Sequence, residues 1–137
     1  MLVWLAVLAT AGLPEGPGLA AGYPGDRGLA ADPAVVFTED FEARDLTQLG
    51  ARWSDVSNRS GALALDSDVP AASAGRQSLR VSAIRGQNTG GHLYRVWPTG
   101  PDQVFLRFYV KFAPDYGLCH HFVSLGGKPG APSWPEG

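Results

Sequence analysis

Residues 103–113 alternate between apolar and polar side chains and hold the groups best suited to chemistry. Arg107, Tyr109 and Lys111 combine two fixed positive charges with a phenol. Because the side-chain period of a strand is two, these groups share one face at spacings of about 6–7 Å. Arginine and lysine bind carboxylates through charge-assisted hydrogen bonds, and a phenol can transfer a proton. This face therefore suits an acidic sugar polymer, and the spacing is of the order of one sugar unit.

The other face of the same segment is apolar. Such alternation is typical of an antiparallel sheet that packs one face against a core and exposes the other to solvent. A second interpretation stays open, in which the cations lie on a solvated sheet face and pair with Asp or Glu on neighbouring strands. The apolar positions are Val104, Leu106, Phe108, Val110 and Phe112.

Two histidines follow this segment. His120 and His121 are adjacent, so on a strand they point to opposite sides, and one of them reaches the face of Arg107 if the strands are neighbours. A histidine can act as a base near pH 7. The alternative is a hydrogen-bonded histidine beneath a loop. Because the two side chains diverge, we predict no transition-metal site.

Four further residues are candidate sugar contacts. Tyr94 and Arg95 lie on the preceding predicted strand, and only one of them can face a groove. Asn88 can bind sugar hydroxyls, although a turn role is the common alternative. Trp134 lies in a Pro- and Gly-rich loop, where its ring can stack on a sugar.

Short apolar runs broken by turn residues predict an all-β protein. No segment has helical spacing long enough for an α-helix, apart from one turn within 43–49. The charge balance, 11 Lys and Arg against 13 Asp and Glu, argues against a nucleic-acid binder. The predicted strands span 35–42, 52–57, 62–65, 78–84, 92–97, 103–113 and 119–125.

The N-terminal region differs in composition from the rest. Met1–Leu13 is continuously apolar, so we predict a signal-like segment over 1–21 and a secreted or periplasmic protein. No Lys or Arg precedes this run, and a stray apolar terminus of a cytosolic protein is the alternative. Residues 22–33 predict a flexible linker, and 34–137 the folded part. No later stretch is long enough to span a bilayer, so we predict no integral membrane domain.

Two segments resemble known proteins. Phe37–Glu42, F-T-E-D-F-E, resembles the first strand of concanavalin A-like jelly-roll domains. Leu106–Tyr116, followed by Gly126–Gly130, resembles the central strand and loop of alginate-lyase-like polysaccharide lyases. The resemblance covers about residues 35–137 and implies an antiparallel two-sheet jelly-roll sandwich. The later strands of that family have no counterpart here, so we expect a C-terminally truncated sandwich.

The resemblance also implies a function, a polysaccharide lyase acting on uronate glycans. Arg107 and Lys111 would neutralise a carboxylate, Tyr109 would transfer a proton or contact sugar, and His120 or His121 would act as base. Two alternatives stay open: a non-catalytic lectin-like or laminin-G-like binding module, and an incomplete fragment without independent activity.

The expected partner is a polysaccharide, and we predict no cofactor. Related jelly rolls often hold a structural calcium ion, and Asp40, Asp66 and Asp68 are carboxylates that raise this question. Calcium needs six to eight oxygen ligands, however, and Asp66 and Asp68 supply only two donors at short spacing.

Overall fold

The structure, a computed structural model, describes residues 16–117 and 122–127 of the 137-residue chain. In these residues the regular elements are four short strands and five 3₁₀ helices, with no α-helix. The strands are β1 (Asp55–Ser57), β2 (Leu63–Asp66), β3 (Ser78–Val81) and β4 (His92–Tyr94). The 3₁₀ helices span Leu19–Gly22, Pro24–Asp26, Leu29–Ala31, Leu46–Ala51 and Arg59–Gly61.

The strands form two small antiparallel sheets, β1 with β4 and β2 with β3. In the first sheet Ser57 lies opposite His92, and in the second Leu63 lies opposite Val81. An additional backbone bond from Ser82 N to the Ala62 carbonyl, 2.8 Å long, continues the second sheet beyond its strands. The predicted antiparallel β character is therefore confirmed at the level of these two sheets.

A small core lies between the 3₁₀ helix Leu46–Ala51 and the two sheets. Leu49, Ala62 and Leu63 are only 1%, 2% and 3% exposed, and the helix packs against both β1 and β2. Asp45 begins this helix, because its carboxylate accepts the Thr47 backbone N–H at 3.0 Å as an N-cap. The cap thereby sets the start of the one helix that contributes a buried leucine.

Close packing also restricts the residue type at position 91, directly before β4. A Cβ atom added at Gly91 would lie 2.5 Å from the Ser57 carbonyl oxygen and 2.7 Å from Cγ of Leu63. Only glycine fits at this distance, because real side chains do not approach other atoms so closely. Nearby, the Asn58 side chain accepts the Leu63 N–H at 2.6 Å and joins the turn to β2.

The chain divides into two compact units: residues up to Glu39 together with Ala72–Ala74, and Asp40–Ala71 together with Gly75 onward. The first unit contains three of the 3₁₀ helices. There the Tyr23 hydroxyl donates to Asp32 at 2.6 Å, and this bond is the main reason that the pKa of Asp32 is lowered. The predicted boundary between a linker and a folded part at residue 34 stays a prediction.

Three predicted strands differ from the structure. The structure assigns no strand to 35–42, where Phe41 has a left-handed φ of 58° that interrupts an extended backbone. It assigns none to 103–113 or to 122–125 either. The rest of the last predicted strand, together with Met1–Leu13, lies outside the described residues. The four remaining predictions contain β1, β3 and β4 in full and all of β2 except its last residue, Asp66.

No 3₁₀ helix in the described part of the chain is long and apolar enough to cross a membrane.

Candidate functional site

Arg107, Tyr109 and Lys111, which we call the cationic strip, are all exposed. Arg107 Cζ lies 4.8 Å from the centroid of the Tyr109 ring, and Arg107 Nη2 donates to the Tyr109 hydroxyl at 2.5 Å. The guanidinium therefore stacks on the aromatic face as a cation–π pair. The contact at i and i+2 agrees with the prediction that these side chains point to the same side.

Lys111 has an acidic partner that the sequence did not identify. Its ammonium lies 2.6 Å from Asp68 Oδ2, and the two side chains are 75% and 57% exposed. This ion pair fits the alternative interpretation, in which cations of the segment pair with a neighbouring carboxylate. Exposed pairs of this kind contribute about 0–1 kcal/mol, because solvent screens them.

The loop after β2 places Asp68. The Ser78 hydroxyl donates to the Asp68 carbonyl at 2.7 Å, and the Asp68 N–H bonds to Asp66 Oδ1 at 3.1 Å. Asp66 itself forms an ion pair with Arg80 at 3.4 Å, diagonally across the β2–β3 sheet. Contacts with Asp66 of β2 and Ser78 of β3 therefore position Asp68, whose carboxylate pairs with Lys111.

The apolar side of 103–113 forms an aromatic cluster. Phe108 and Phe112 contact Phe122 edge to face, with centroid distances of 5.9 and 5.3 Å, and Phe112 lies 4.5 Å from the Tyr116 ring. The prediction that this side fills an interior is nevertheless wrong. Val104, Leu106, Phe108, Val110 and Phe112 are between 37% and 52% exposed, since no sheet of the described residues covers them.

Asn88 has a structural role in a turn. Its Oδ1 accepts the Gly90 N–H at 3.0 Å and the Ile84 N–H at 3.4 Å. An isolated bridge also joins Ile84 and Asn88. This geometry supports the turn interpretation, because the oxygen that would accept from a sugar hydroxyl already closes the loop.

Tyr94 and Arg95 are half-buried and bind the chain segment before β1. The Tyr94 carbonyl accepts the Ser54 N–H at 2.8 Å, and Arg95 Nη1 donates to the Arg52 carbonyl. Both residues therefore help to position β4 beside β1. Their role in binding sugar stays a prediction, as do the roles of His120, His121 and Trp134, which lie outside the described residues.

A histidine–carboxylate pair lies on the β1–β4 sheet. His92 Nε2 lies 2.7 Å from Asp55 Oδ2, diagonally across the two strands. This hydrogen bond is the largest cause of the lowered pKa of Asp55, which partial burial opposes. The sequence contains the histidine and the aspartate, but their pairing can be predicted only when the register of β1 and β4 is known.

The acidic residues considered for calcium have other partners. Asp66 pairs with Arg80 and Asp68 with Lys111, while Asp40 accepts the Glu42 N–H at 3.1 Å. Within residues 16–117 and 122–127, no group of three or more His, Cys, Asp or Glu side chains could hold a metal ion.

Comparison with known proteins leaves the family open. No family model, curated protein or solved structure matches this chain. The function therefore rests on the chemistry of the residues described above.

Proposed function

We propose that this protein is an extracytoplasmic, carbohydrate-binding protein that binds acidic polysaccharides through the cationic strip. The observation that supports the proposal is the stack of Arg107 on the Tyr109 ring, with the exposed Lys111 two residues further along the chain. A guanidinium can form two parallel hydrogen bonds to a uronate carboxylate, and an aromatic ring can contact the apolar face of a sugar. Both groups are exposed and in contact with each other.

The Arg107–Tyr109 contact favours binding by ordering the strip in advance. A free arginine loses side-chain entropy when a ligand immobilises it, whereas a stacked guanidinium has already lost part of it. The hydrogen bond between Arg107 and the Tyr109 hydroxyl further restricts the orientation of both groups. A carboxylate of the polymer then binds the Arg107 guanidinium, whose position changes little on binding.

Lys111 can exchange its protein carboxylate for one from the polymer. Its pair with Asp68 is exposed on both sides and contributes about 0–1 kcal/mol, so replacing Asp68 by a uronate carboxylate costs little. The exchange keeps the ammonium paired throughout. Because all these charges are exposed, binding should weaken as salt concentration rises.

The test is a titration of the protein with alginate or polyglucuronate, compared with a neutral glucan. Arg107→Gln should weaken binding to the acidic polymers about tenfold, the effect expected from about 1.4 kcal/mol of a charge-assisted contact. Arg85→Gln is the matched control, because Arg85 is an exposed arginine in the Ile84–Asn88 turn, outside residues 103–113. Equal binding by Arg107→Gln and the control, or equal binding of the neutral glucan, would refute the proposal.

A second candidate function is β-elimination on the same polymer. The Tyr109 hydroxyl beside the Arg107 guanidinium favours it, since a proton-transfer group then lies next to a carboxylate-binding group. A base would remove the C5 proton, the C4–O bond would break, and a double bond would form between C4 and C5. The proton acquired by the leaving oxygen would come from an acid such as a phenol.

Ultraviolet absorbance of the unsaturated product distinguishes the two functions. A lyase should generate it from the acidic polymer, and Tyr109→Phe should abolish it while retaining binding. Binding without any absorbance change identifies a non-catalytic module. If neither binding nor product is observed for a cooperatively folded chain, both functions are excluded.

A further inference from the structure

The segment 103–113 has the properties of an unpaired edge strand. No strand among residues 16–117 and 122–127 pairs with it, and every residue in it is exposed. Its side chains nevertheless separate onto two sides, with the Arg107–Tyr109 stack on one and the Phe108–Phe122 contact on the other. Unpaired segments of this kind present backbone N–H and C=O groups that can pair with another chain.

The sequence of the segment is self-complementary about Phe108. In an antiparallel pair of two copies centred there, Phe108 lies opposite Phe108, and Leu106 lies opposite Val110. On the other face, Arg107 lies opposite Tyr109 twice, which repeats across the pair the cation–π contact seen within one chain. Val104, Leu106, Phe108, Val110 and Phe112 then share one side of the ribbon, whereas both cationic strips share the other side with Phe105, which lies opposite Lys111 of the second copy.

Other arrangements place like charges together. A pair centred on Arg107 sets that residue against itself, and one centred on Tyr109 sets Arg107 against Lys111. Parallel, in-register stacking sets Arg107 against Arg107 and Lys111 against Lys111 at every layer. Shifts by one residue place the apolar side of one copy against the polar side of the other. Shifts to a centre at Leu106 or Val110 bring Pro101 or Pro114 into the pairing, and proline lacks the donor for a ladder bond.

We propose that two copies of this chain associate through antiparallel pairing of residues 103–113 about Phe108. The occupant of the unpaired segment is therefore a second, identical segment, related to the first by a twofold axis. The pairing buries part of the apolar surface of Val104, Leu106, Phe108, Val110 and Phe112, which one chain alone leaves exposed. It is independent of the proposed binding of polysaccharide.

Sedimentation velocity over a range of protein concentrations tests the association. The full-length chain should form a dimer, and Val110→Lys should raise its dissociation constant more than about tenfold, because each dimer loses two valine contacts. Val36→Lys is the matched control, since Val36 is a valine of similar exposure, 60% against 52%, outside the segment. The control should dimerise like the natural sequence.

A charge exchange tests the register. Leu106→Glu and Val110→Lys should each weaken the dimer, and the double variant should restore it, because the two positions face each other only when Phe108 is central. A centre at Leu106 would set glutamate against glutamate, and a centre at Val110 would set lysine against lysine. Restoration also shows that the single variants did not act by unfolding the chain.

Several results of these experiments would overturn the proposal. They are a monomer at all concentrations, a dimer that Val110→Lys and Val36→Lys affect equally, and a double variant that is no stronger than the single ones. Growth into open-ended polymers would also contradict it, because a twofold pair closes on itself.

Discussion

The β2–β3 sheet and the segment 103–113 contain similar apolar residues but differ in what covers them. Leu63 of β2 is 3% exposed, whereas Leu106 of the segment is 51% exposed. The first leucine belongs to a strand that packs against the 3₁₀ helix Leu46–Ala51 and pairs with β3, whereas no helix or strand of the described residues contains or pairs with the second. Burial therefore depends here on the availability of a partner, since the hydrophobicity of the two residues is the same.

Truncating a leucine of the core that covers the β2–β3 sheet and one of the segment 103–113 should show the largest difference in stability. We expect Leu49→Ala to lower the free energy of unfolding by about 2–5 kcal/mol, because it removes buried contacts and leaves a cavity. Leu106→Ala should cost less than about 1 kcal/mol, since that side chain is half exposed. Chemical denaturation at low protein concentration measures both. Equal losses would show that the segment is part of the core.

Glycine positions provide the next comparison. Gly91→Ala should destabilise the protein by about 1–3 kcal/mol, because the new Cβ would overlap the Ser57 carbonyl and the Leu63 side chain. Gly100 precedes the segment 103–113, and nothing lies within 4 Å of a Cβ atom added at Gly100. Gly100→Ala is therefore the comparison variant. That variant should be close to neutral in thermal unfolding. A neutral Gly91→Ala would contradict the close approach of β4 to β2.

The cap of the 3₁₀ helix should have a smaller effect. Asp45→Ala removes the acceptor of the Thr47 N–H and should cost about 0.5–2 kcal/mol. Asp45→Asn retains a side-chain oxygen and should recover most of the loss. By comparison, Lys111→Met breaks only an exposed ion pair and should change stability by less than about 1 kcal/mol. The same denaturation assay ranks the three variants.

The smallest expected effect is the pH dependence of the β1–β4 sheet. The hydrogen bond from His92 keeps the pKa of Asp55 below its ordinary value of 3.8. A lowered carboxyl pKa contributes stability above the unfolded value, and this contribution is lost as the pH falls through the folded value. Asp55→Asn should therefore flatten the loss of stability in acid below about pH 4. An unchanged acid profile would show that the pair contributes nothing.

Local patterns predicted the paired strands well. The four predicted runs that overlap β1 to β4 are bounded by turn residues such as Ser60-Gly61 and Thr89-Gly90, which the sequence displays directly. The placement of Arg107 and Tyr109 on the same side of the chain was also predictable, because in an extended segment residues i and i+2 point in the same direction. The 3₁₀ helix at Leu46–Ala51 was anticipated only as one helical turn within 43–49.

Pairing between distant residues was not predictable. The contact of Lys111 with Asp68 and that of His92 with Asp55 join positions 43 and 37 residues apart. Many carboxylates could have paired with either side chain, and the fold of the chain decides which one does. The alternation of 103–113 indicated a strand with a buried side, but it carries no information on whether another element covers that side.

The amino-acid sequence alone determined which segments contain the paired strands and that Arg107 and Tyr109 lie on the same side of the chain. Only the tertiary structure decided which apolar residues are buried and which carboxylate meets Lys111. The reason is physical: side-chain periodicity is a property of consecutive residues, whereas burial and ion pairing depend on distant parts of the chain that folding brings together.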